Sequence, residues 1–126
     1  MAQSSGSLHE SPDVLAPETV DRHRAIVSLM EELEAVDWYD QRVDAAADDE
    51  LRAVLAHNRD EEKEHAAMTL EWLRRRDPGW NEQLRNYLFT DKAILEVEEA
   101  IDEAEKSESP EPPSGEGSLG IGSLKR

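Results

Sequence analysis

Apolar residues recur at helical spacing in the first patterned stretch of the chain. They fall at i, i+3, i+4 and i+7, which places them on one face of an α-helix. The stripe comprises Ile26, Leu29, Met30, Leu33, Val36 and Val43. Pro17 suits the first turn of a helix, and Glu18 suits its positive N-terminal field. The pattern predicts a helix from Pro17 to about Ala46.

A second helix is predicted from about Asp49 to Arg76, with Asp48 and Asp49 as turn and cap. Seven mostly apolar residues project from this helix in nearly the same direction and form its stripe: Leu51, Val54, Leu55, Asn58, Thr69, Trp72 and Leu73. Glu62 and His65 lie in the middle of that stripe. Charged groups are rarely buried unless they are paired or bound to a metal, so this position requires a partner.

The remaining sequence is less regular. Asp77 and Pro78 can cap and begin a shorter helix, whose apolar face would hold Trp80, Leu84, Tyr87 and Leu88. Residues 92–106 are expected to form a weak acidic helix or to remain frayed. The chain is therefore divided into a flexible tail (1–16), a helical domain (17–90), an acidic Pro/Ser/Gly spacer (91–117) and a terminal peptide (118–126).

The terminal peptide differs in character from the spacer. Leu119, Ile121 and Leu124 place three large apolar side chains in a glycine-rich segment at the end of a proline-bearing linker. Such a segment is too short to fold alone and is typical of a docking peptide. The alternative is a terminus that binds nothing.

Composition narrows the classes of partner. Thirty acidic residues against fourteen basic ones give a net charge of −16, which disfavours nucleic acid and anionic membranes. The chain contains no cysteine, which excludes thiolate metal sites and disulfides. No window approaches the ~18 apolar residues of a membrane span. Residues 1–16 lack the basic region and hydrophobic run of a signal peptide.

The predicted fold class is all-α: an antiparallel two-helix hairpin plus a short C-terminal helix. A hairpin of two helices cannot cover both of its apolar faces. Pairing with a second copy would produce a four-helix bundle, and we expect this dimer.

The pair Glu62 and His65, one turn apart, can bind one metal ion, and Glu32 lies at the edge of the first helix's stripe. A Glu-x-x-His step alone is weak, because most such matches in an acidic chain are solvated surface. Two copies would supply four carboxylates and two imidazoles, which suits iron or manganese, with zinc or calcium as alternative occupants. Metal binding and dimerisation should then be linked.

Four neighbouring residues of the first helix are candidates for supporting roles. Glu31 and Glu34 are one turn apart near Trp38, and they form either a weak cation site or an ordinary solvated acidic face. Tyr39 flanks Glu32 and could donate a hydrogen bond to a ligand carboxylate. It could equally be an amphipathic residue at the edge of the bundle.

Three segments of the sequence resemble the encapsulated ferritins, which are half-ferritin ferroxidases carried inside encapsulin shells. They are EELEAVDWYD at 31–40, NRDEEKEHAAM at 58–68 and LGIGSLK at 119–125. The resemblance implies that Glu32, Glu62 and His65 are ferroxidase ligands repeated across a dimer interface, with two iron ions at each interface. It implies an entry site at Glu31 and Glu34 near Trp38, and a Tyr39 close to the di-iron centre.

The resemblance also implies an assembly and a location. Family members form a ring of five dimers, a homodecamer, inside a shell in the prokaryotic cytoplasm. The terminal peptide is similar to the cargo-loading peptides that dock on the inner shell wall. The expected function is O₂-dependent oxidation of Fe²⁺ for iron storage. The alternatives are a non-catalytic helical cargo protein with a structural metal, and, less favoured, a metalloenzyme acting on an organic substrate.

Overall fold

A computed structural model describes residues 7–108, and within this range the chain forms helices and no strand. A 3₁₀ turn at Pro12–Val14 precedes four α-helices. They are α1 (Pro17–Ala45), α2 (Asp49–Arg76), α3 (Pro78–Tyr87) and α4 (Ile94–Glu108). The predicted all-α class is confirmed. None of the described helices is long and apolar enough to cross a membrane.

Helices α1 and α2 pack along each other as an antiparallel hairpin. A short connection joins the two helices. Asp48 caps the start of α2, because its Oδ2 accepts a hydrogen bond from the backbone N of Leu51 at 2.8 Å. The Arg52 guanidinium donates to the carbonyl oxygen of Ala46 at 2.6 Å, which fixes the end of α1. Farther along, Arg59 Nη1 on α2 lies 3.0 Å from Asp40 Oδ1 on α1. These contacts set the register of the two helices.

The hairpin leaves most of its apolar stripe accessible. Among the described residues Leu73 is the only large side chain that is fully buried. Over a third of the surface of several large apolar side chains of α1 and α2 is exposed: Ile26, Met30, Leu33, Leu51, Val54 and Met68. Two helices therefore do not close a core, as the sequence indicated, and a face with several exposed large apolar side chains is typical of an interaction surface.

The described residues from Asp77 to 108 belong to a second compact unit. Asp77 caps α3, as predicted, with its side chain accepting from the backbone N of Gly79 at 2.9 Å. Helix α3 ends before Phe89, which adopts the left-handed region at φ 62°. The acidic stretch forms helix α4 rather than remaining frayed, and Val97 is buried in this unit.

The limits of the four predicted segments stay a prediction. The 3₁₀ turn lies within the proposed tail, and α4 lies within the proposed spacer 91–117. The terminal peptide 118–126, with its three apolar anchors, falls outside the described residues.

Candidate metal centre

The hairpin brings together three potential ligand side chains. Glu32 extends from the middle of α1, and Glu62 and His65 extend from successive turns of α2. The Nδ1 atom of His65 lies 3.4 Å from Glu62 Oε1 and 3.7 Å from Glu32 Oε1. One ligand atom from each residue falls within 4.8 Å of the others. The three-residue spacing on α2 explains why Glu62 and His65 lie close together. The antiparallel register of α1 against α2 places Glu32 beside them.

The two carboxyl groups are close enough to interact directly. A hydrogen bond with Glu62 raises the pKa of Glu32, and burial and the charge of Glu62 add to that rise. The same hydrogen bond lowers the pKa of Glu62, and His65 lowers it further. Both shifts are expected for two carboxyl groups that share a site, because a hydrogen bond between them favours the protonated form of one and the ionised form of the other. A cation placed among these groups would favour the ionised form of both.

The cluster is only partly buried. The exposed fraction is 25% for the side chains of both Glu32 and Glu62 and 41% for that of His65. The expectation of a core position therefore holds only in part. The physical reason is that the stripe faces the open side of a two-helix hairpin, where no other described part of the chain covers the exposed part of the imidazole.

The donor set fits a first-row divalent metal. Two carboxylates and one imidazole nitrogen are oxygen-rich ligands with one nitrogen, a combination that suits iron, manganese or zinc. Three side chains leave an octahedral ion short of ligands, and the open side of the cluster is where further ligands would enter. One hairpin therefore provides a partial site.

The other candidate residues lie on α1 close to the cluster in sequence. Glu31 is exposed and Glu34 is half-buried. Trp38 is 48% exposed, and the Arg42 guanidinium lies 5.9 Å from the centre of its ring. The same guanidinium lies 5.5 Å from the ring centre of the half-buried Tyr39. The two aromatic rings are thus joined by a cation–π contact, and the proposed roles of these four residues stay predictions.

One residue beside the cluster was missed by the sequence reasoning. Glu61 Oε1 lies 4.0 Å from His65 Nε2, and Glu61 Oε2 lies 3.7 Å from His57 Nε2. The signal was present as an i, i+4, i+8 series of His, Glu and His on one helix face. The series does not stand out in the sequence, because α2 carries many glutamates and the sequence does not distinguish Glu61 from the other exposed ones. His57 itself is a surface residue with a side chain that is 72% exposed.

A continuous seam runs along α2 through the cluster. Its members follow alternating steps of four and three residues, the spacing of a helix–helix contact line. They are Val54, Asn58, Glu61, His65, Met68 and Trp72. At one end, an open groove of about 460 Å³ lies between α1 and α2, bordered by Ala25 and Ser28 opposite Met68 and Trp72. The candidate ligands thus lie on an uncovered helix-packing surface.

An all-α hairpin with a carboxylate–imidazole cluster on an open packing face is a half-bundle with a candidate metal site. The chain belongs to the encapsulated ferritin-like (EncFtn-like) family, whose sequence profile matches residues 7–91. That span includes both long helices, all three clustered side chains and α3.

Named relatives agree with this assignment. The chain is 66% identical to the encapsulated ferritin-like protein of Rhodospirillum rubrum, over 99% of this chain and 92% of that protein. It is 59% identical to a ferritin-like protein of Thermotoga maritima, over 72% of this chain and 80% of the relative. It is 34% identical to an encapsulin nanocompartment cargo protein of Myxococcus xanthus, over 79% and 81% of the two chains.

A crystal structure of a Nitrosomonas europaea protein has a similar fold. It superposes with a TM-score of 0.68 at 62% sequence identity, covering 70% of this chain and 97% of that one. The fold expected from the helical patterns therefore has an experimental counterpart.

Proposed function

We propose that this protein is a ferroxidase that oxidises Fe²⁺ to Fe³⁺ with O₂. The observation that carries the proposal is the convergence of Glu32, Glu62 and His65, with one ligand atom of each within 4.8 Å of the others. Iron is the substrate here: each Fe²⁺ ion gives up one electron to O₂, and the ferric product leaves for storage. Membership of a ferritin-like family supports iron over the other metals that this donor set accepts.

The side chains of the cluster contribute charge and geometry. The carboxylates of Glu32 and Glu62 bind Fe²⁺ and favour the ferric product, because each added negative ligand stabilises the higher charge. The imidazole of His65 binds through Nδ1, the nitrogen that faces both carboxylates. Binding of the cation favours the ionised forms of both carboxyls.

The complete site needs two copies of the chain. One copy offers three ligand groups on an uncovered seam. A second copy, related by a two-fold axis that passes through the seam, would bring a second set opposite the first. We propose that two Fe²⁺ ions bind at this interface, with Glu62 bridging them. We further propose that five such dimers form a ring, as the resemblance to encapsulated ferritins implies.

The acidic pair on α1 is proposed as an entry site. Glu31 and Glu34 flank Glu32 in sequence, and the exposed carboxylate of Glu31 can attract Fe²⁺, or Ca²⁺ in its place. Trp38 and Tyr39 lie on the following turns, and the guanidinium of Arg42 makes a cation–π contact with both rings. We assign these two aromatic residues to the path between that pair and the cluster.

The activity is tested by adding Fe²⁺ to the purified full chain in air. We expect ferric absorbance to rise much faster than in protein-free buffer, and to stay flat under argon. The rival proposal of a structural metal makes the opposite prediction. A cluster that binds Zn²⁺ or Fe²⁺ tightly but leaves the oxidation rate at the buffer value would contradict the ferroxidase proposal.

The location is proposed from the relatives and the terminal peptide. One relative is named as encapsulated and another as an encapsulin nanocompartment cargo protein. We propose that this chain is likewise cargo in the lumen of a cytoplasmic shell, with Leu119, Ile121 and Leu124 as docking side chains. Separating oxidation from storage explains why an open half-ferritin would need an outer shell to retain mineral.

Docking is tested by removing residues 119–126 and co-expressing the chain with the shell protein of the same organism. Co-purification should be lost, while Fe²⁺ oxidation stays at the rate of the full chain. Replacing the three apolar anchors by serine should reproduce the deletion. Replacing only Lys125 and Arg126 by serine is the matched control and should preserve loading. Normal loading of the triple serine variant would refute the apolar docking role.

A further inference from the structure

The imidazole of His65 has different neighbours on its two nitrogens. Nδ1 faces the carboxylates of Glu32 and Glu62, at 3.7 and 3.4 Å. Nε2 points to the other side of the ring, where Glu61 Oε1 lies 4.0 Å away. The two sides therefore have separate carboxylates: one set inside the cluster and a single one outside it.

We propose that Glu61 is a positioning residue that holds the His65 ring so that Nδ1 faces the metal. A neutral imidazole carries its proton on one nitrogen and binds metal through the other. A carboxylate beside Nε2 favours the tautomer with the proton there, in which the Nδ1 lone pair can bind a metal, and so offsets the attraction of the two carboxylates beside Nδ1 for the same proton. The proposal rests on the proposed metal-binding role of the cluster and extends it to a residue outside the ligand set.

Helix geometry supports this assignment. Glu61 and His65 are four residues apart on α2, so the backbone keeps their side chains on the same face. The 4.0 Å separation exceeds hydrogen-bond length. The Glu61 side chain is 49% exposed and is free to rotate by the small amount that closes the gap. The other oxygen of Glu61 lies 3.7 Å from His57 Nε2, which draws the carboxylate toward the same edge of the helix.

The first test reads the tautomer of His65 without any metal. The full chain contains four histidines, so ¹⁵N labelling of histidine gives a simple spectrum. At a pH where the imidazoles are neutral, carboxylates on both sides of the ring compete for the His65 proton, and the unaltered protein should populate the tautomer with the proton on Nε2 beside the one with it on Nδ1. Glu61→Ala should shift the population toward the tautomer with the proton on Nδ1. Glu64→Ala removes the same charge from the next turn of α2 and should leave the tautomer unchanged.

The second test measures binding of Co²⁺, a spectroscopic stand-in for Fe²⁺. Losing the partner of a metal-bound histidine typically costs about 10- to 100-fold in metal affinity. We expect a loss in that range for Glu61→Ala, together with a changed Co²⁺ absorption spectrum. Glu61→Gln retains an oxygen acceptor for Nε2–H and should recover part of the affinity. Glu64→Ala should bind Co²⁺ as the unaltered protein does.

The outcomes separate the two proposals. An unchanged tautomer and affinity in Glu61→Ala would overturn the positioning role, as would an equal loss in Glu64→Ala, since the effect would then be one of net charge. A protein that shows the Glu61 effects but oxidises no Fe²⁺ would retain the positioning role. In that case only the ferroxidase proposal fails.

Discussion

Replacing Glu62 by glutamine is expected to slow Fe²⁺ oxidation by at least about 100-fold, since even the partners of metal ligands contribute 10- to 100-fold to affinity. Glu32→Gln and His65→Ala should have effects of the same order. Each substitution removes one of the three candidate ligand groups, and in the proposed dimer each chain supplies only half of the site. Stopped-flow absorbance at a fixed Fe²⁺ concentration measures the rate directly.

The two glutamine variants should keep or gain stability in the absence of metal. In the free protein the pKa of Glu32 is raised, chiefly through its contact with Glu62, which means that two carboxylates side by side are unfavourable. An amide in place of one of them removes the like charge and can still hydrogen-bond to the other. Ligand residues are thus retained at the expense of stability, as is common at functional sites.

Thermal unfolding with and without metal distinguishes this role from a structural one. Adding Co²⁺ should raise the melting temperature of the unaltered chain and should raise that of Glu62→Gln only slightly. Glu64→Gln makes the same chemical change on the same helix, away from the cluster, and should match the unaltered chain in rate and in metal response. Rates near normal in all three ligand variants would show that the oxidation site lies elsewhere.

The helices were predictable because their ends are defined by local signals. Pro17 begins α1, Asp48 caps α2 and Asp77 caps α3, and each of these acts within one turn of its own residue. The sequence left α4 open between helix and frayed chain, because its apolar residues lie among many glutamates whose like charges oppose a helix. Local propensity alone does not decide such a segment.

The candidate site was predictable in part. Glu62 and His65 share a face by helical period alone, so their proximity follows from the sequence. The partnership with Glu32 depends on the register between α1 and α2, which the sequence indicated only through the stripe edge and a family resemblance. The exposure of His65 depends on which side of α2 the neighbouring helix covers. The helical period alone does not predict which side is covered. For the same reason it does not predict that Glu61 lies beside the exposed edge of His65.

Introducing a charge on the α2 seam should separate the copies and disable the site together. Val54 is 51% exposed in the single chain and lies on the same line as His65. A carboxylate at this position would be desolvated and unpaired when a second α2 covers it, an arrangement that costs several kcal/mol. We expect Val54→Asp to shift the protein to smaller species in sedimentation experiments and to weaken Co²⁺ binding, although all three ligands of the chain remain in place.

The control is the neighbouring exposed residue. Ala53→Asp adds the same carboxylate about 100° around α2, off the seam, so it should preserve both assembly and metal binding. Because metal and partner would bind the same face, each should strengthen the other, and Co²⁺ should partly restore the assembly of Val54→Asp at high protein concentration. A monomeric Val54→Asp that binds Co²⁺ with unaltered affinity would mean that one hairpin suffices. The metal centre would then be independent of the second copy, and the seam would serve assembly alone.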